Sequence, residues 1–310
     1  MQHTLTLEQI SLPASCVTIG AFDGIHLGHR KVIQALVEQS KQRHLPSVVL
    51  SFSPHPALVL GKIDHPEYLL DDQEKCELIA DLGVDYLIIL PFTNELAKTG
   101  ADEFVKRLVD HLHLKVLITG DDFTLGKDRE GNLAALDKLG QHYGFDLIHI
   151  PELDELGKRI SSTYIRELLK QGELTKANHL LGRTFQFSGI VEDGDHRGRK
   201  IGFPTANLIP SPERLLPKFG VYATLLRWNK KLYPAVTNVG LRPTYYEDGT
   251  QVTIETFILD FEGTLYGQLI TLYFIDYIRP ELKFPSSEAL HLQIEQDIQT
   301  AREVLAHAQP

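Results

Sequence analysis

Short apolar runs alternate with longer amphipathic stretches from residue 15 to about residue 182, and this alternation constrains the fold more than any other feature. The runs at 15–20, 47–52, 85–90, 115–120 and 145–150 are of strand length and nearly continuous in apolar character. Parallel strands covered on both faces read this way. The stretches between them, near 28–42, 72–82, 102–113 and 133–143, carry helical spacing. A βαβα order predicts a doubly wound parallel sheet with right-handed crossovers, whose ligands lie at the carboxyl ends of the strands. Beyond two short helices at 163–170 and 174–181 the texture changes. Closely spaced strands at 185–191, 221–228, 232–238, 252–261 and 269–275 predict a small antiparallel β-barrel, with a packed C-terminal helix at 287–306. The expected class is α/β, with domains at 1–182 and 183–310.

Composition narrows the partners. A chain of 310 residues can bury two cores, and 31 Lys+Arg against 41 Asp+Glu give a net charge of −10. Neither half is basic, so no nucleic acid is expected as a partner, and a phosphate-bearing ligand has to be small and locally held. Cys16 and Cys76 are the two cysteines and form no CxxC pair, which predicts reduced thiols and a cytoplasmic protein. The first ten residues lack a signal-peptide pattern. The densest apolar run, 86–92, falls far below the roughly 20 residues that span a bilayer, so no membrane association is expected.

Three segments of the first half follow predicted strands. Gly20-Ala-Phe-Asp-Gly-Ile-His-Leu-Gly-His29 opens a helix, with Gly20, Phe22, Asp23 and Gly28 shaping a loop that suits an anion. His26 and His29, three apart, can face that anion and offset charge developing on a phosphate in transfer. Alone, this is equally a glycine turn with two exposed histidines. Ile160-Ser-Ser-Thr-Tyr-Ile-Arg166 sets Ser161, Ser162 and Thr163 at a helix start with Arg166 one turn on, which reads as a plain N-cap or as a phosphate clamp. Ser51-Phe-Ser-Pro-His-Pro56 and Gly120-Asp-Asp-Phe-Thr-Leu-Gly126 close two other strands.

The second half contains Gly194-Asp-His-Arg-Gly-Arg-Lys-Ile-Gly-Phe-Pro-Thr-Ala-Asn207, a basic glycine loop entering an extended segment. Thr205 and Asn207 then point the same way and offer two oxygens to one Mg²⁺–phosphate complex. No GxxxxGK[ST] motif occurs. Glu255 shares a strand face with Thr253, Phe257, Leu259 and Phe261, where its charged form is disfavoured as a general base requires. A rim glutamate paired with an arginine is the other reading.

The early HxGH and late ISSTxIR segments together resemble the HxGH nucleotidyltransferase superfamily. The second half resembles riboflavin kinase in Gly198-Arg-Lys-Ile-Gly-Phe-Pro-Thr-Ala-Asn207, Asn238-Val-Gly-Leu-Arg-Pro-Thr244, Glu255-Thr-Phe-Ile-Leu-Asp-Phe261 and Arg279-Pro-Glu-Leu-Lys-Phe284. Joined, they look like the bacterial bifunctional riboflavin kinase/FAD synthetases over nearly the whole chain. The resemblance implies a C-terminal kinase converting riboflavin and ATP to FMN, and an N-terminal adenylyltransferase converting FMN and ATP to FAD and pyrophosphate. It implies Mg²⁺ with ATP as substrate, no tightly bound organic cofactor, and catalytic roles for Glu255, His26 and His29. ATP would be held by Gly20, Phe22, Asp23, Gly28, Ser161, Ser162, Thr163 and Arg166 in one half, and by Gly198, Arg199, Gly202, Pro204, Thr205 and Asn207 in the other. Thr205 and Asn207 would serve the metal. Flavin would meet Pro54, His55, Asp122 and Phe123 in the first half, and Arg279, Glu281 and Phe284 in the second. Ser53 stands where the family often has an acid, Thr124 and Leu125 where it has arginine and an aromatic, and Phe257 where histidine is frequent. A flavin-binding regulator, a kinase-only enzyme and, less favoured by the second half, a nucleotidyltransferase for another phosphate acceptor are the alternatives.

Overall fold

The computed structural model describes residues 1–4, 6–155, 157–193, 202–243 and 250–309. The chain divides into two compact units, Met1–Ser162 and Thr163–Pro310.

The first unit is built on strands β1 (Gln2–Thr4), β2 (Ser15–Ile19), β3 (Ser47–Ser53), β4 (Tyr86–Pro91), β5 (Leu114–Gly120) and β6 (Asp146–Ile150). All pair in parallel, in the order β1-β4-β3-β2-β5-β6. The helices are α1 (Leu27–Arg43), α2 (Pro56–Val59), α3 (Asp72–Asp81), α4 (Asn94–Ala97), α5 (Ala101–Leu112) and α6 (Leu133–Tyr143). Alternate strand residues enter two separate cores. Val17, Ile19, Val48 and Leu50 pack with Phe104 and Leu108 of α5, while Cys16, Val49 and Leu87 pack with Ile33 and Leu36 of α1. Both faces are therefore covered, as the continuous apolar runs require. From β2 the chain steps through β3 to β4 in one direction, then returns to β5 on the other side of β2. The loops after β2 and β5 thus meet at the switch point, where open α/β sheets bind ligands. A two-stranded ribbon, β7 (Asp154–Glu155) and β8 (Lys158–Arg159), follows.

The second unit opens with α7 (Ser162–Gln171, its first residue still in the first unit) and α8 (Leu174–Leu181). Asn178 of α8 donates to Phe274 O at 3.0 Å and accepts from Phe185 N at 2.7 Å, which fastens α8 to the sheet. The sheet comprises β9 (Phe185–Ile190), β10 (Thr205–Leu208), β11 (Gly220–Trp228), β12 (Lys231–Pro243), β13 (Thr250–Ile258) and β14 (Leu269–Arg279). It is antiparallel throughout, in the order β10-β13-β12-β11-β14-β9. Its two edges approach at one isolated bridge, where Glu192 N donates to Asn207 O at 2.9 Å, so the sheet curls into a half-barrel. β13 stops at Ile258, short of the predicted residue 261, because the chain turns at Asp260, whose φ of 54° is left-handed. Helix α9 (Ser287–Leu305) covers one sheet face, with Ala301 and Leu305 among Val221, Ala223, Leu225 and Val236.

Candidate active sites

In the first unit, the turn leaving β2 is strained and tightly tied. Phe22, Gly24 and Ile25 have φ values of 48°, 84° and 39°. Such backbone persists only where its surroundings hold it. Asp23, 3% exposed, provides the hold: its carboxylate accepts from Leu69 N at 2.9 Å and from Leu70 N at 3.3 Å. Asp23 thus anchors the loop from beneath. His26 caps α1, its Nδ1 accepting from His29 N at 3.3 Å. The neutral ring then carries its proton on Nε2, a donor. The His26 and His29 rings stack with centroids 3.7 Å apart, and Phe22 meets His29 edge-on at 5.3 Å. A Cβ on Gly28 would sit 3.2 Å from the His26 ring, so the glycine makes room for that stack. Ser162 Oγ donates to Asp23 O at 2.8 Å, bringing the start of α7 to this loop. Ser161 is half-buried; one turn into α7, Thr163 is exposed and Arg166 half-buried.

Beside this loop a cavity of about 320 Å³ is walled by Phe52, Phe92, Phe104 and Phe123, with Pro56, Lys62, Thr124 and Arg129 also lining it. Phe123 is the predicted flavin residue that reaches it. His55 instead caps α2, accepting from Ala57 N at 3.1 Å, and Pro54 is exposed. Asp122 is ion-paired to Arg159. Ser53 donates to Asp72 Oδ2 at 3.1 Å, so a carboxylate stands next to the position where the family carries its acid. Thr124 Oγ1 accepts from Arg129 Nε at 3.1 Å, and Arg129 takes a left-handed φ of 61° there. Phe92 and Phe104 escape sequence reading, since one follows β4 and the other lies in the ordinary core spacing of α5.

In the second unit, strand register builds the site. Asn207 pairs with Glu255, Glu255 with Asn238, Asn238 with Val221, and Val221 with Arg279. Directly paired residues share a sheet face, so these five form one row across the sheet. The next row pairs Thr205 with Phe257 and Phe257 with Val236. A cavity of about 380 Å³ lies over these rows, lined by Thr205, Glu255, Asn238 and Phe257, by Arg279, Glu281 and Phe284, and by Leu290, Ile294 and Asp297 of α9. Glu255 is half-buried. Asn238 Nδ2 donates to Glu281 Oε1 at 3.4 Å. Phe203 packs edge-on against Phe257 at 5.3 Å. Gly202 has φ 90° and is exposed, as is Pro204. Gly198 and Arg199 lie outside the described residues. Asn207 Nδ2 donates to Thr205 O at 3.3 Å, which leaves its Oδ1 and the Thr205 hydroxyl as oxygen donors. Among the described residues no group of three or more His, Cys, Asp or Glu could hold a metal. A hard cation bridging phosphates fits this donor set, since it needs few protein oxygens.

The two candidate sites, one at a sheet switch point and one on a sheet face beside α9, are of the kind that an ATP-dependent transferase needs. The family described as FAD synthetase matches residues 8–164, and the family described as riboflavin kinase matches residues 181–305. The bifunctional riboflavin kinase/FMN adenylyltransferase of Escherichia coli is 40% identical over 98% of this chain and 97% of its own length. That of Bacillus subtilis is 37% identical over 96% and 94%. A solved structure from Streptococcus pneumoniae, described as a macrolide-efflux protein, is 30% identical with a TM-score of 0.87, covering 97% of this chain and 98% of that one. Among the described residues no helix is long and apolar enough to cross a membrane. The chain belongs to the bifunctional riboflavin kinase/FMN adenylyltransferase family.

Proposed function

We propose that the chain carries out two ATP-dependent transfers, riboflavin to FMN and FMN to FAD, with the residues assigned below. The bifunctional activity follows from family membership across both halves. Riboflavin, FMN, FAD and ATP are its substrates and products. The observation that carries the residue assignment is the row Asn207–Glu255–Asn238, whose Glu255 and Asn238 line the second cavity together with Thr205 of the next row.

In the kinase reaction Glu255 takes the proton of the riboflavin 5′-hydroxyl. The freed oxygen attacks the γ-phosphorus, the bond to the β–γ bridging oxygen breaks, and ADP leaves. Thr205 and Asn207 hold the cation that ATP brings. These ATP-using families generally need a divalent metal, and Mg²⁺ is the ion we assign.

In the adenylyl transfer a phosphate oxygen of FMN attacks the α-phosphorus of ATP, and pyrophosphate leaves. His26 and His29 donate to the phosphate in transfer, and Ser161, Ser162, Thr163 and Arg166 serve ATP phosphates. The aromatic cavity takes the isoalloxazine, while Lys62 and Arg129 supply cations for the acceptor phosphate. We place the functional boundary at 182/183, since 161–166 serves adenylylation and the barrel begins at Phe185. A cytoplasmic location accords with free thiols at Cys16 and Cys76.

Chromatography of the protein with riboflavin, ATP and Mg²⁺ tests the reading. FMN is expected first, then FAD with pyrophosphate. FMN accumulating without FAD would leave only the kinase.

A further inference from the structure

The kinase cavity contains a buried ion pair that the chemistry above does not use. Arg279, at the end of β14, lines the cavity and spends its guanidinium on the protein's own groups. Nε and Nη2 donate to both carboxylate oxygens of Asp297 on α9, at 2.8, 3.1 and 2.7 Å. Nη1 donates to Pro280 O at 2.9 Å, and the guanidinium carbon lies 5.7 Å from the Phe284 ring centroid. Asp297 is 3% exposed and also accepts from Gln293 Nε2 at 3.0 Å. One side chain thus joins three walls of one cavity: the sheet row that carries Glu255, the segment after β14 that carries Phe284, and the helix that carries Leu290 and Ile294. A planar guanidinium grips a carboxylate with two N–H groups while its face lies toward a ring, whereas an ammonium is a point charge without that fork.

We propose that Arg279 is a positioning residue rather than a flavin contact, and that its clamp on Asp297 and Phe284 sets the width of the slot that admits the flat riboflavin ring. The proposal rests on the kinase reading of this cavity. The slot has to match a rigid aromatic to within a fraction of an ångström, because both of its faces are side-chain walls. Loosening the clamp therefore weakens riboflavin binding and leaves Glu255 and the ATP-side residues where they are.

The experiment measures full-chain Arg279→Lys and Asp297→Asn in the kinase reaction. Each is expected to raise the riboflavin KM about tenfold with kcat within about twofold and the ATP KM unchanged. The double variant should be no worse than either single one, since both break one clamp. FMN adenylylation in the same preparations should be unaltered. Arg302→Gln is the matched control: it breaks the other arginine pair of α9, to Asp260 at 2.7 and 2.8 Å, away from the cavity, and should leave the riboflavin KM unchanged. Thermal melts identify any variant that fails to fold. Asp297→Glu then serves in its place, keeping the charge but displacing it, with the same KM rise expected. A fall in kcat at constant riboflavin KM, additive single effects, or an equal KM rise in Arg302→Gln would overturn the clamp. Wild-type protein without kinase activity would instead overturn the reading beneath it.

Discussion

At the residue scale, each reaction is assigned to side chains whose loss should silence one activity and spare the other. His29→Ala removes a donor stacked 3.7 Å from His26, and FAD formation should fall about 10²–10³-fold while FMN formation continues. Glu255→Gln keeps shape and polarity but cannot take a proton, so FMN formation should fall about 10²–10⁴-fold while supplied FMN is still adenylylated. Separate initial-rate assays for each product check both; loss of both activities in either folded variant would contradict the two-site assignment. That Thr205 and Asn207 share a face, and that Glu255 lies on an apolar strand face, is legible from strand periodicity, because residues two apart share a face. Their meeting is not. Register between β10, β13 and β12 places Asn207, Glu255 and Asn238 side by side, and register depends on pairings 17 and 48 residues apart. Asp122 and Arg279 stand as flavin-side residues in the sequence through the family resemblance. Each has an ion-pair partner that only folding brings near.

At the element scale, the first unit's aromatic cavity depends on how α5 begins. Its N-cap is Gly100, which offers no side chain, and the carboxylate of Glu130 accepts from Ala101 N at 2.6 Å instead. A distant acid thus supplies the cap and complements the positive end of the helix. Glu130→Ala should cost about 1 kcal/mol, read as a lower melting temperature. It should also raise the KM for FMN in adenylylation, because the 124–131 loop is held to the start of this helix and lines the cavity. Gly126 explains why no bulkier residue suits that loop: its φ is +77°, and a Cβ would lie 2.6 Å from Ala101 N. The long helices and the interior strands are visible as periodicity. The three-residue β1 is not, since it offers too few residues to show a pattern and is defined by pairing with Tyr86–Ile88. The one-turn helices α2 and α4 are hidden for the same reason: four residues complete barely one period.

At the scale of the whole molecule, both thiols are held in their protonated form. Burial pushes the Cys16 and Cys76 thiols up from their ordinary range. Thiolate is the reactive species, so a chromogenic disulfide reagent at neutral pH should find no fast-reacting thiol in the native chain and two after unfolding. A burst of one equivalent in the native protein would contradict this. The two-part division is legible because hydrophobic texture changes near residue 182, yet the packing divides after Ser162. Sequence texture follows secondary-structure type, and two helices look alike whichever body they pack against. The barrel's seam has a last consequence. Among the described residues its edges meet in one isolated bridge, Glu192 to Asn207, the same Asn207 that stands beside Glu255. A ring of strands opens first where it is stitched least. The Glu192 amide is therefore a built-in clock: its deuterium uptake should outpace that of the Leu225 and Val236 amides in the bare protein and, on the proposed role of Asn207, slow when Mg-ATP is added, timing the opening of the seam without any label.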